Sequence, residues 1–195
     1  RSRGLGDVYK RQLKNTIIIA IGKLSTQVIS FLLLPLYTDK LSPEQYGSYD
    51  FMVSLSVFLL PIVTLLMEES MFRFLIDAET VKQRKKVITA TVFYMLFGTI
   101  AFTVIAGIVM AIIKYQYGAL FIAFVISNIL LNLSNCLSRG EGKIKLYSLS
   151  NFILGASTII LNIIFILPLK MGVNGLLLSN TIANTCLLYT SDAAD

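Results

Sequence analysis

The chain predicts an all-α fold, a multi-spanning transmembrane helical bundle, and three observations carry that reading. It is 55% hydrophobic and only 14% charged, with a positive mean hydropathy, unlike an average soluble domain. Its apolar residues fall in runs of membrane length, and a bilayer core of roughly 30 Å takes about 20 such residues per helix. The polar connections between runs are too short to hold a soluble domain.

About six helices follow from those runs. The first spans 15–37 and carries one lysine, Lys23. The second, 46–74, is overlong and contains Pro61, which predicts a kink there. The third spans 87–113, the fourth 118–137 and the fifth 147–169, and a sixth covers 173–185. Residues 1–12 (RSRGLGDVYKRQ) and 186–195 (CLLYTSDAAD) resemble translations of sequencing-library transposon adapters and are set aside from fold reasoning. On that expectation 13–185 is a piece of a longer protein. Without Cys186, Cys136 stands alone in an apolar helix as a small packing residue.

Orientation is read from lysine and arginine in short loops. Lys14, Lys82, Arg84, Lys85, Lys86, Arg139, Lys143 and Lys145 group on one side, against Lys40, Lys114 and Lys170 on the other. The N-terminal end is therefore expected to be cytoplasmic. The net charge of +6 is the inside bias of a membrane protein, so no nucleic-acid partner is expected. The cluster 82–86 reads as a solvated loop near anionic headgroups.

Polar residues inside the spans repeat at helical spacing. Thr16, Lys23, Thr26, Gln27 and Ser30 share a face of the first helix, and Asp50, Ser54, Pro61, Thr64 and Glu68 one of the second. Asn128, Asn132 and Asn135 line up on the fourth, and Asn151, Gly155, Thr158 and Asn162 on the fifth. Two readings stand: hydrogen-bonding glue inside a closed bundle, or the wall of a water-filled cavity. Lys23 either faces that cavity or snorkels back to the surface. Glu69 and Arg73, four apart, read as an ion pair at a helix end, whereas Glu68 continues the polar stripe. The cavity candidates are therefore Lys23, Thr26, Gln27, Ser30, Asp50, Glu68, Arg73, Asn128, Asn132, Asn151 and Asn162. With no histidine, no Cys/His cluster and no phosphate loop, the sequence shows no catalytic residues, no metal site and no cofactor motif.

The turn between the first two spans is the most specific wording in the chain: Pro35-Leu36-Tyr37-Thr38-Asp39-Lys40-Leu41-Ser42-Pro43-Glu44-Gln45-Tyr46-Gly47-Ser48-Tyr49-Asp50. With Asn15–Thr16, Gly22–Lys23, Glu68–Glu69, Arg73–Phe74, the run Arg139-Gly140-Glu141-Gly142-Lys143 and the run Gly172-Val173-Asn174-Gly175, the chain resembles the polysaccharide biosynthesis (O-antigen-type) flippases of the multidrug/oligosaccharidyl-lipid/polysaccharide superfamily. The resemblance implies one N-terminal lobe of a two-lobed, pseudosymmetric transporter with a midplane site. It implies a bacterial cytoplasmic-membrane protein that moves undecaprenyl-diphosphate-linked oligosaccharides from the inner to the outer leaflet by alternating access. The partners it implies are that lipid-linked oligosaccharide, the lipid bilayer and the C-terminal lobe of the same chain. By position, Lys23 and then Arg73 match cavity cations for the diphosphate.

Two alternatives stay open. A superfamily relative exporting small cationic drugs would use acidic cavity groups, and Asp50 and Glu68 supply them. A membrane enzyme of glycan assembly, a polymerase or ligase, needs a large outward loop, and the outward connections here are short.

Overall fold

The structure is a computed structural model that describes residues 13–192 apart from 14, 15, 18, 19, 21–23, 25–27, 29, 30, 32 and 36. Every described residue between 13 and 40 is helical. Six helices follow: α1 Pro43–Thr64, α2 Met67–Asp77, α3 Val81–Ile113, α4 Gly118–Gly140, α5 Ile144–Ile166 and α6 Gly172–Asp192. No strand occurs among the described residues. Helices α1, α3, α4 and α5 are each long and apolar enough to cross a membrane. The expected first span lies partly outside the described residues. Helix α6, which carries Asn174, Ser179, Asn180, Thr181 and Asn184, is not among the four.

The turn with the most specific wording is mainly a helix start. Ser42 Oγ accepts from the Gln45 amide at 3.2 Å, and Gln45 Oε1 accepts from the Ser42 amide at 3.1 Å. This capping box, with Pro43 in the first turn, opens α1. The connection is shorter than the expected 38–45, because 37–40 remain helical and only 41–42 intervene.

The expected second span is not one kinked helix. The backbone continues through Pro61 and breaks at Leu65 and Leu66, both left-handed at φ 51° and 54°. Thr64 Oγ1 accepts the Leu66 amide at 3.3 Å. A side chain thus replaces the ladder carbonyl, and α2 starts anew at Met67. The Val63 carbonyl oxygen at the break packs against Gly98 of α3 so closely that a Cβ there would collide with it.

Three other boundaries move for local reasons. Helix α3 begins at Val81, so Lys82, Arg84, Lys85 and Lys86 are helical residues and not a loop. A second capping box, Thr80 with Gln83, starts it. Helix α4 continues to Gly140 before the Gly142 turn, where φ is +76°, a conformation suited to glycine. Helix α5 stops at Ile166: Leu167 keeps helical backbone and donates its amide to the Ile163 carbonyl at 3.0 Å, but Pro168 has no amide to continue the ladder.

Helix α4 is the centre of the bundle and packs against α1, α2, α3, α5 and α6. Its Phe121, Phe124, Val125 and Ile129 form the main core with Met52 of α1, Met95 and Phe102 of α3, and Val173 and Leu177 of α6. A second cluster joins Leu33, Tyr37 and Leu41 to Ile166 and Leu176. Helix α3 is peripheral: Phe93, Phe97, Ile100, Ile105, Ile108 and Ile112 are all exposed. In water such a stripe would be unstable, whereas in lipid it is solvated.

Candidate functional site: a polar cavity at the helix break

The break between α1 and α2 opens a cavity of about 490 Å³ against α4 and α5. Apolar residues of the α1–α2 segment, including Pro61 and Leu66, form one wall. Glu68, Glu69, Asn128, Asn132, Asn135, Cys136, Arg139 and Tyr147 supply the polar groups. The α4 asparagines reach it together because residues three and four apart share a helix face.

Arg139, in the last turn of α4, is the most constrained cation in this wall. Its guanidinium lies 4.9 Å from the Phe72 ring centroid and 5.6 Å from that of Tyr147. Its Nη2 donates to Glu69 Oε1 at 3.3 Å and to Cys136 Sγ at 3.0 Å. Stacking on aromatic faces and a fixed fork of donors are arginine properties that lysine lacks. Glu69 is thus paired with Arg139 across the bundle. The expected Glu69–Arg73 pair along one helix does not form. Arg73 is exposed and is not part of the cavity wall.

Glu68 sits in the first turn of α2 and is 5% exposed. Thr64 Oγ1 lies 3.1 Å from its Oε1. Its Oε2 has no hydrogen-bond partner, the one buried side-chain nitrogen or oxygen in that condition among the described residues. Burying a charged oxygen unpaired is costly, so this atom is a feature to explain.

The remaining candidates separate into wall and glue. Asn128 and Asn132 line the cavity, and Asn128 Nδ2 is held by the Phe124 carbonyl at 2.8 Å. Asn151 donates to Asn135 Oδ1 at 3.2 Å and to the Tyr147 carbonyl at 2.8 Å, tying α5 to α4. Asn162 is completely buried elsewhere, donating to Tyr37 Oη at 2.8 Å and accepting from Ser179 Oγ. Asp50 and Ser54 are exposed on α1 and are not among the cavity-lining residues. Lys23, Thr26, Gln27 and Ser30 lie outside the described residues.

Two sets of residues were missed by the sequence reading. Arg139 falls in the expected connection after the fourth span but is helical in the structure, where the spacing Asn132, Cys136, Arg139 carries the asparagine face one turn further. On α6, Asn180 donates to Tyr49 Oη at 3.1 Å and Asn184 to Ser127 Oγ at 3.1 Å. Their own spacing of four marked that face. No protein-family model, curated protein or solved structure matches this chain.

Proposed function

We propose that the chain is the N-terminal lobe of a bacterial lipid-linked oligosaccharide flippase. It would move undecaprenyl-diphosphate-linked units to the outer leaflet by alternating access. The observation that carries the reading is Arg139, held by two rings and Glu69 on the wall of an open cavity between membrane-length helices. A guanidinium fixed in this way offers donors to a diphosphate without the entropy cost of ordering a free side chain. The wording of the turn at 35–50 is the second support.

On this reading the N-terminal end and the α4–α5 turn are cytoplasmic, following the lysine and arginine bias. The cavity then lies toward the leaflet where the substrate is made. A C-terminal lobe would supply its opposite wall. The chain's role is transport and not catalysis, with no cofactor required.

The test is translocation of a lipid-linked oligosaccharide in vesicles containing the two-lobed protein. Arg139→Ala should reduce the rate about tenfold or more, the cost of losing a charge-assisted contact. Wild-type translocation by that variant would remove the assignment.

One observation favours the small-cation exporter as a second reading. Glu68 and Glu69 face one guanidinium in this wall, leaving one formal negative charge unbalanced. Efflux of a small organic cation that is lost in Glu68→Gln, with glycolipid translocation absent from the wild type, would select that reading.

A further inference from the structure

We propose that the end of the bundle opposite Arg139 carries a site for the phosphate of an anionic phospholipid, with Lys40 and Lys170 as its cationic groups. The inference is independent of the flippase reading, because it needs only the membrane-length helices.

The site is a second cavity, of about 440 Å³, between the start of α1 and the α5–α6 turn. Lys40, Gln45 and Lys170 supply its polar side chains, and Leu41, Ile166 and Leu167 its apolar ones. No carboxylate is among its lining residues. Both lysines are rooted in fixed backbone. The Leu41 amide donates to the Tyr37 carbonyl at 2.9 Å, just ahead of the capping box of Ser42 and Gln45. The Met171 amide donates to the Phe165 carbonyl at 3.0 Å, closing the turn that holds Lys170. Gln45 commits its Oε1 to the Ser42 amide, so it offers the cavity the donors on its Nε2. A Cβ built at Gly172 would come within 3.4 Å of that nitrogen, and the glycine leaves it room.

Charge selects an anion. Lys170 makes no ion pair among the described residues, and Lys40 pairs only with its neighbour Asp39, at 2.8 Å. Both side chains of that pair are exposed, and such pairs are screened and weak, so Lys40 can turn to a stronger anion. Depth selects a lipid. Tyr147 lines the Arg139 cavity and Ile166 lines this one. They are 19 positions apart on α5, about 29 Å at 1.5 Å per residue. That is close to the thickness of a hydrocarbon core, so the two cavities stand at its two boundaries, the level of headgroup phosphates. Leu41, Ile166 and Leu167 beside the lysines give an acyl chain a surface that a dissolved phosphate ion would not use.

The experiment reads the cavity directly. The chain has no tryptophan, so Leu167→Trp places a single indole fluorophore in the wall. The whole chain is reconstituted in phosphatidylcholine vesicles, and quenching by bromine-labelled phosphatidylglycerol is compared with quenching by bromine-labelled phosphatidylcholine. Phosphatidylglycerol should bind at least about fivefold more tightly, as lysines near a headgroup imply. Lys40→Gln combined with Lys170→Gln should bring the ratio to about one. Lys114→Gln, at the end of α3, should leave it unchanged. Inorganic phosphate, set against sodium chloride at equal ionic strength, should not displace the lipid. If Leu167→Trp does not fold, thermal unfolding in detergent micelles decides. Phosphatidylglycerol should raise the wild-type midpoint, as a ligand of the folded state does, and raise it less in the double lysine variant. Equal quenching by the two lipids, a ratio unmoved in the double variant, or the same midpoint shift with and without the two lysines would overturn the site. Displacement by inorganic phosphate would overturn the lipid as its ligand.

Discussion

The Tyr37 hydroxyl accepts a hydrogen bond from Asn162 Nδ2 at 2.8 Å, joining residues 125 positions apart in the interior of the bundle. Ser179 completes the node by donating to Asn162 Oδ1. The segment around Tyr37, α5 and α6 are thus tied at one point by buried side chains. Buried polar groups of this kind contribute little net energy when paired and cost much more when one partner is removed.

The node yields the first prediction. Tyr37→Phe leaves Asn162 Nδ2 buried without its acceptor and should destabilise the chain by about 1–3 kcal/mol. Tyr37→Phe combined with Asn162→Leu should cost less than the sum of the single changes, because the pair is removed together. A double-mutant cycle in thermal unfolding measures the coupling, and strict additivity would contradict the bond.

Gly98 provides the second. The Val63 carbonyl, at the helix break, occupies the space a Cβ would need. The obstacle is backbone and not a mobile side chain, so Gly98→Ala should separate α3 from α1 and cost about 1–3 kcal/mol. Gly107, on the same helix with nothing within 4 Å of a built Cβ, is the matched control. Gly107→Ala should be neutral or stabilising by up to about 1 kcal/mol through helix propensity. The two unfolding midpoints should therefore move in opposite directions, or only the first should move.

The left-handed pair Leu65–Leu66 yields the third. An L-residue in that conformation costs roughly 1–2 kcal/mol, and glycine adopts it freely at an entropic cost of about 0.5–1 kcal/mol. Leu65 is 75% exposed, so little packing is lost on replacing it. Leu65→Gly should be neutral or mildly stabilising, while the β-branched Leu65→Val should be destabilising. A loss of more than about 1 kcal/mol in Leu65→Gly would mean that the side chain matters more than the backbone here.

The fourth prediction separates two arginines that look alike in the sequence. Arg139 is on the cavity wall, and Arg73 is exposed away from it. In the translocation assay Arg139→Ala should lose activity, and Arg139→Lys should recover only part of it, since lysine keeps the charge but not the planar stacking on Phe72 and Tyr147. Arg73→Ala should leave the rate unchanged. Equal loss in the two alanine variants would place the cation requirement in bulk electrostatics and not in this cavity.

Much of the helical framework was legible in the residues. Apolar runs of membrane length predicted the helices, and α1, α3, α4 and α5 are all long and apolar enough to span. Two boundary errors came from signals present but unread. Thr80 with Gln83 spells a capping box that starts α3 ahead of Lys82, and Pro168, with no amide to donate, ends the α5 ladder early. The break at 65–66 had no such signal. Two leucines in left-handed backbone run against local preference, and Pro61, four residues earlier, stays within the helix.

The sequence by itself determined that the chain is a helical bundle with membrane-spanning helices, and which faces of those helices are polar. Those properties follow from composition and from a period of 3.6 residues, both local. Only the tertiary structure decided what each polar face meets. Asn162 meets Tyr37 and Ser179 in a closed node, Asn151 meets Asn135, and Asn128 and Asn132 face a cavity. All lie on polar faces of helical spacing, and where a partner exists it sits on another helix, 16 to 125 positions away. Glu68 is the clearest instance. Its place on a polar stripe was readable, but its burial with one oxygen unpaired follows from how α2 packs on α4 after the helix breaks.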